Sequence, residues 1–125
     1  MSDPLNPEQL RSFTPLNALS DQQWRELRSQ LVPQPLLAGQ LLFRHGDQAG
    51  LTYYLLAGEL LLQTADGRQQ RLLAGSAASC HPLSPSLPRL HEVRAVTDAS
   101  LLAVDTATLD RLLTWRLAYQ DLLLE

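Results

Sequence analysis

The stretch GSAASCHPLSPSLPRLHEVRAVTD, residues 75–98, holds the residue types best suited to chemistry. It contains the only cysteine of the chain, Cys80, and two of the three histidines, His81 and His91. These side chains can ligate a metal, but the paired spacings typical of metal sites, such as C-x-x-C or H-x-x-x-H, do not occur among them. A structural role is therefore favoured over a metal site, and we predict no metal and no cofactor.

The sequence contains none of the common catalytic motifs. The sequence has no G-x-S-x-G, no histidine paired with a suitably placed carboxylate and no glycine-rich loop entering a helix. It also lacks the H-x-H pair with which metal-dependent enzymes of roll-like shape hold their metal. We predict that the protein is not an enzyme.

Composition limits the remaining classes of function. The chain has 125 residues, 45% of them hydrophobic, which suits one folded unit. Its net charge is −3 and its basic residues are scattered arginines, so direct DNA binding is not expected. The sequence contains neither a signal peptide nor an apolar run of membrane-spanning length. We expect a cytoplasmic protein without membrane contact.

The elements that position residues 75–98 are short strands. All six glycines lie between residues 39 and 75, where they favour tight turns between strands. Asp66-Gly67 is a strong hairpin signal. Many short strands at close turn spacing are typical of an all-β sandwich or roll. The predicted strands are LLF (41–43), LTYYLL (51–56), ELLLQT (59–64), QQRLL (69–73), HEVRAVT and SLLAVD.

Helices are predicted on both sides of the β region. Ser20 and Gln23 form a capping-box pattern before an amphipathic helix, which Pro33 and Pro35 should stop. A second helix is predicted from Asp105 or Thr106 to the last residue, with leucines on one face. These leucines have no visible partner, so the chain is expected to be the N-terminal part of a longer protein. A homodimer or a docked partner through this helix is compatible with that expectation.

The residues GQLLFRHGDQAGLTYYLLAGELLLQTADGRQQRLLAG resemble the first half of a cyclic nucleotide-binding domain, and VRAVTDASLLAVD resembles the strand pair that closes its roll. The resemblance covers the chain from about Leu19 to the end. It implies an eight-stranded jelly roll, similar to the double-stranded β-helix of cupins, with N-terminal helices and a C-terminal helix. We predict one domain: helical segment 1–36, β-roll 37–105 and C-terminal helix 106–125.

In this family the ligand lies in a phosphate-binding cassette, the position of residues 75–98. The resemblance places Arg89 at the arginine that neutralises the cyclic phosphate, although taken alone Arg89 reads as a solvated loop residue. The glutamate that accepts from the ribose 2′-hydroxyl falls at or near Cys80, and neither Ser79, Cys80 nor His81 is a carboxylate. The resemblance therefore implies a cassette that has the arginine for the phosphate and lacks the glutamate for the ribose.

Two further departures lie around the predicted contacts. Pro82 removes a backbone donor from the turn, and Leu90 has no hydroxyl where the family has a small or hydroxylated residue. Prolines in SCHPLSPSLP favour an extended segment over a helix. The ligand-binding residues that we predict are Arg89, Leu90, Ser79, Cys80, His81 and His91.

These features leave two functions open. One is a sensor that binds a nucleotide second messenger and signals through its C-terminal helix. Its ligand would be cyclic AMP or cyclic GMP or, given the altered cassette, a cyclic dinucleotide such as cyclic di-GMP. Ordinary tight binding of cyclic AMP or cyclic GMP is disfavoured. The other is a degenerate fold that binds no nucleotide and serves in dimerisation or protein interaction.

Overall fold

The structure of the chain is a computed structural model, and it describes residues 7–48, 50–83 and 89–113. In these residues three α-helices flank seven strands: α1 (Pro7–Arg11), α2 (Asp21–Arg28) and α3 (residues 106–113). Short 3-10 turns cover Leu16–Ala18 and Ala77–Cys80. The strands are β1 (Val32–Leu36), β2 (Leu41–Phe43), β3 (Leu51–Ala57), β4 (Glu59–Thr64), β5 (Gln69–Leu73), β6 (His91–Ala95) and β7 (Ala99–Asp105).

The strands form two antiparallel sheets. One has the order β1-β7-β3 and the other the order β2-β6-β4-β5. The predicted fold class, mainly β with flanking helices, is confirmed. Because the described residues contain seven strands, the predicted number of eight is not confirmed.

The strand β3 shows why a leucine-rich sequence folds as a strand here. Side chains alternate between the two faces of a strand. Tyr53 and Leu55 point into the space between the two sheets, whereas Tyr54 and Leu56 point to the helices on the outer face. A strand buried on both faces requires a continuous apolar run. The run LTYYLL therefore forms a strand that is buried on both faces.

Two apolar clusters result from this alternation. The inner cluster lies between the sheets and includes Phe43, Leu83 and Val93. The outer cluster joins the three-stranded sheet to the helices and includes Trp24 of α2 and Leu109 of α3. The inner cluster occupies the interior of the roll, which is where Arg89 also lies.

The structure corrects the start of the β region. The sequence predicts a helical segment at residues 1–36, with Pro33 and Pro35 as helix stops. The structure instead has β1 at Val32–Leu36, paired antiparallel with β7. Proline is tolerated in an edge strand, where its missing N–H need not face a neighbour. Helix α2 ends at Arg28, before either proline.

The predicted helix starts are confirmed. Ser20 and Gln23 form the capping box of α2, with each side chain bonded to the other residue's backbone N–H. The carboxylate of Asp105 accepts from the N–H of Thr108 at 3.1 Å and so caps α3. The predicted continuation of α3 to residue 125 lies outside the described residues. None of the helices in the described part of the chain is long and apolar enough to cross a membrane.

Candidate functional site

The backbone of Arg89 is held by the turn between β2 and β3. Its N–H donates to the carbonyl of Asp47 at 2.9 Å, and its carbonyl accepts from the N–H of Gly46 at 2.8 Å. The Asp47 carboxylate accepts from the N–H of Arg44 at 3.0 Å, which stabilises the turn itself. The turn formed by RHGD therefore holds the backbone of Arg89 just before the start of β6 at His91.

The side chain of Arg89 lies inside the roll, with 4% of its surface exposed. One terminal nitrogen donates to the carbonyl of Leu51 and the other to the carbonyl of Leu83, the latter at 3.3 Å. Its guanidinium carbon lies 4.5 Å from the ring centre of Phe43 and 6.0 Å from that of Tyr53. Aromatic faces attract cations, so these rings help to keep the charge in the interior.

Burial lowers the pKa of the Arg89 guanidinium, and its proximity to Tyr53 and Asp47 opposes that change. Because the pKa of arginine is very high, the group keeps its charge at neutral pH. Burial raises the pKa of Tyr53, and the charge of Arg89 partly offsets this effect. The site therefore holds a permanent cation next to a neutral phenol.

The turn at Ala77–Cys80 provides the second part of the site. Ser79 is 2% exposed, and its hydroxyl donates to the carbonyl of Ser76 at 2.6 Å. The Cys80 carbonyl accepts from the N–H of Thr14 at 2.7 Å, which joins this turn to the N-terminal helical segment. Among the described residues, Ser79 and Arg89 are the two buried side chains that are polar or charged.

The predicted site residues do not form one cluster. Arg89 and Ser79 are buried, and Cys80 is half-buried in the same turn as Ser79. His81 is exposed, and Leu90 is 60% exposed on the surface. His91 belongs to β6, where it pairs with Thr64 of β4. A hydrogen bond to the carbonyl of Leu83 links Arg89 to the segment that follows the turn.

The cassette region keeps some helical character. The resemblance implies a short helical turn, and a 3-10 turn is present up to Cys80. His81 is extended, with φ −105° and ψ 155°, as expected before a proline. The rest of the predicted extended segment, residues 84–88, lies outside the described residues. Within the described ranges, no three His, Cys, Asp or Glu side chains come together to hold a metal.

The residues that hold Arg89 are not predictable from the sequence pattern. Phe43 and Tyr53 were assigned to strands, and Leu51 and Leu83 act through backbone carbonyls, which carry no sequence signal. The side chain of Leu83, unlike its carbonyl, could have been identified from the sequence. It is an apolar residue in a proline-rich loop, which is typical of a residue that packs into a core. Its side chain is 2% exposed, and its N–H donates to the carbonyl of Tyr53 at 2.9 Å.

The family model of the cyclic nucleotide-binding domain matches residues 33–114. The chain belongs to the cyclic nucleotide-binding domain family. No curated protein sequence matches it significantly. The matched residues include both sheets, Arg89 and the described part of α3, so this cyclic nucleotide-binding domain contains the complete candidate site.

Solved structures share the fold of this chain. The chain is similar to the N-terminal domain of a transcriptional regulator from Streptomyces coelicolor A3(2), with 28% identity over 92% of this chain and 85% of that one, at a TM-score of 0.63. It also resembles the sensor domain of the transcriptional regulator DNR from Pseudomonas aeruginosa, with 19% identity over 87% and 80% of the two chains, at a TM-score of 0.73.

A third similar structure was solved with a ligand. The regulatory domain of Toxoplasma gondii PKA with cAMP shares 19% identity and a TM-score of 0.70 over 90% of this chain. The match covers 46% of the Toxoplasma chain. At this level of identity the likeness shows the fold alone.

Proposed function

We propose that this domain is a non-catalytic regulatory sensor that binds the phosphate of a nucleotide second messenger through Arg89. The observation that carries the proposal is the burial of the Arg89 guanidinium inside the roll, with its hydrogen bonds to the carbonyls of Leu51 and Leu83. A carbonyl oxygen carries only a partial charge, whereas the two non-bridging oxygens of a cyclic phosphate share a full negative charge. A phosphate is therefore the stronger acceptor for the same guanidinium donors.

The altered cassette should make this binding weaker than in a domain with a complete one. Cys80 offers no carboxylate for a ribose hydroxyl, and a charge-assisted hydrogen bond of that kind is worth about 1.5–3 kcal/mol. The ligands to be compared are cyclic AMP, cyclic GMP and cyclic di-GMP, since each presents an anionic phosphate within a ring.

A second candidate function is a domain that binds no nucleotide and serves in dimerisation or in docking a partner through its C-terminal helix. The position of Leu83 favours it. The Leu83 side chain packs in the inner cluster between the sheets, and its carbonyl accepts a hydrogen bond from Arg89. A ligand would have to compete with these contacts.

The test is the thermal unfolding midpoint of the domain with each nucleotide, in the wild type and in Arg89→Lys. Ligand at a hundred times its dissociation constant adds about 2.7 kcal/mol, which raises the midpoint by about 5 °C or more for a domain of this size. Lysine keeps the charge but loses the forked donor pair, so the shift should fall sharply.

Arg94→Lys is the matched control. Arg94 lies on β6, is exposed, and donates to the carbonyl of Gly39 at 2.8 Å, outside the roll interior. This variant should keep the wild-type response to ligand. No shift with any of the three nucleotides in a folded wild-type domain would overturn the sensor proposal and leave the interaction module.

A further inference from the structure

The first turn of α3 is attached to the beginning of β3. The N–H of Thr106 donates to the carbonyl of Gly50 at 2.9 Å. The hydroxyl groups of Thr52 and Thr106 share a hydrogen bond of 2.7 Å. Two bonds therefore connect the helix start to residues 50–52.

The middle residue of this segment also holds Arg89, because the carbonyl of Leu51 is one of the acceptors of its guanidinium. Consecutive carbonyls along a strand point in opposite directions. In an edge strand such as β3, one direction faces the neighbouring strand and the other faces away from it. Leu51 pairs in register with Asp105, the residue that caps α3. The segment 50–52 thus contacts Arg89 on one side and α3 on the other.

The rest of α3 has different supports. Leu109 and Leu112 are buried in the outer cluster. The side chain of Gln23 in α2 donates to the carbonyl of Leu112 at 2.9 Å. The first turn is held by the Asp105 cap and by hydrogen bonds to residues 50–52, whereas the following turn depends on apolar packing and on α2. A displacement of residues 50–52 would therefore act on the first turn before the second.

We infer that Arg89 is a positioning residue for α3: by holding the carbonyl of Leu51, it fixes the strand end to which the first turn of the helix is bonded. An anion that draws the guanidinium away from Leu51 releases this strand end and loosens the first turn. This last step, and only this step, rests on the proposed function.

The test is amide hydrogen exchange in the ligand-free domain. In Arg89→Lys a single ammonium group replaces the fork that reaches both carbonyls. We expect the exchange rate of the Thr106 amide to rise by about tenfold. This is the change expected when the local opening equilibrium loses the contribution of one hydrogen bond. Exchange at Leu60, in the centre of β4, should stay at the wild-type rate. Arg94→Lys is the control and should change neither rate.

A second measurement removes the hydrogen bond between Thr52 and the first residue of α3. Thr52→Val keeps the side-chain shape and removes the hydroxyl bond to Thr106. Because both substitutions act through residues 50–52, their effects on Thr106 exchange should be non-additive in the double variant. Additive effects would overturn the inference.

The remaining outcomes are also decisive. Unchanged exchange at Thr106 in Arg89→Lys contradicts the inference. An equal rise at Leu60 and Thr106 contradicts it as well, since Arg89 would then stabilise the whole roll and not the helix start. The experiment contains no nucleotide, so a failure of nucleotide binding leaves its result standing, and a negative result here leaves the binding proposal untouched.

Discussion

At the scale of the residue, the site combines a cation kept in the interior with a missing carboxylate. Arg89 is buried against two aromatic rings and two main-chain carbonyls. The resemblance puts the family's glutamate at or near Cys80, whose thiol lies 3.9 Å from the carbonyl of Ser76, a contact within its own turn. Under our proposal, Arg89 supplies the group that would bind a phosphate, whereas Cys80 supplies no carboxylate for a ribose hydroxyl.

Cys80→Glu should restore the missing contact. A glutamate at this position can accept a hydrogen bond from the ribose 2′-hydroxyl of cyclic AMP, so affinity should rise by about ten- to a hundredfold in a calorimetric titration. The matched control is His81→Glu, which adds the same charge to the exposed neighbouring residue.

Two comparisons separate a specific gain from a general effect of charge. The control variant should bind cyclic AMP as the wild type does, and 2′-deoxy cyclic AMP should gain nothing from Cys80→Glu. An equal change in both variants, or an equal gain for the deoxy ligand, would show that Cys80 does not lie at the ribose.

Gly58 is the residue whose replacement should destabilise the roll most directly. Its φ is +94°, and a Cβ atom there would lie 2.5 Å from the carbonyl oxygen of Asp98 and 2.8 Å from the Cα of Ala99. Gly39 has a similar φ of +84°, with nothing within 4 Å of a Cβ atom. The two positions differ in packing and share the same backbone strain.

Denaturant unfolding of Gly58→Ala and Gly39→Ala should show this difference. Gly39→Ala should cost about 1 kcal/mol from the positive φ, and Gly58→Ala about 1–3 kcal/mol more from the steric overlap. Equal losses would mean that the close approach of the β3–β4 turn to residues 98 and 99 is not rigid in solution.

At the scale of the element, the N-terminal helical segment is bonded to both the sheet and the cassette turn. The hydroxyl of the fully buried Tyr54 donates to the carbonyl of Thr14 at 2.9 Å, and the N–H of Thr14 donates to the carbonyl of Cys80 at 2.7 Å. The ring of Phe13 stacks on that of Tyr54, with centres 4.8 Å apart. Thr14 is therefore the point at which the helices meet the candidate site.

The free energy of unfolding at alkaline pH should depend on the ionisation of Tyr54. Burial raises the pKa of the Tyr54 hydroxyl, so the folded state keeps the proton that the unfolded state releases near pH 10. The stability that this group contributes is complete below pH 10 and is lost as the pH rises above it. Tyr54→Phe should cost about 1 kcal/mol at pH 7 and should flatten the decline of the free energy of unfolding above pH 10.

Tyr53→Phe provides the comparison. Burial also raises the pKa of Tyr53, but the charge of Arg89 opposes that rise, so this variant should flatten the alkaline decline less. An unchanged slope in Tyr54→Phe would contradict the burial of its hydroxyl at the contact with Thr14.

At the scale of the whole molecule, local signals predicted most of the fold. The hairpin at Asp66-Gly67, the capping box at Ser20 and the cap at Asp105 each depend on residues close in the chain, and each is present in the structure. The strand β1 was missed because its two prolines also read as helix stops, and only its pairing with β7 decides between the two readings.

The site was harder to predict for the same physical reason. The family pattern identified Arg89 as a candidate, but its partners come from β2, β3 and the cassette, which are distant in sequence. Leu51 and Leu83 hold it through backbone carbonyls, which every residue type offers equally. Residue types can therefore indicate the cation, whereas its surroundings follow from the packing of the two sheets.

We propose that Arg89 receives the phosphate of a nucleotide inside the roll. The measurement that tests this binding is the NMR resonance of the Arg89 side-chain Nε–H group, assigned with Arg89→Lys, during titration with cyclic AMP, cyclic GMP and cyclic di-GMP. We expect one of these nucleotides to shift this resonance in a saturable manner while the resonance of Arg94 stays in place. A resonance of Arg89 that does not move with any of the three nucleotides would contradict this proposal.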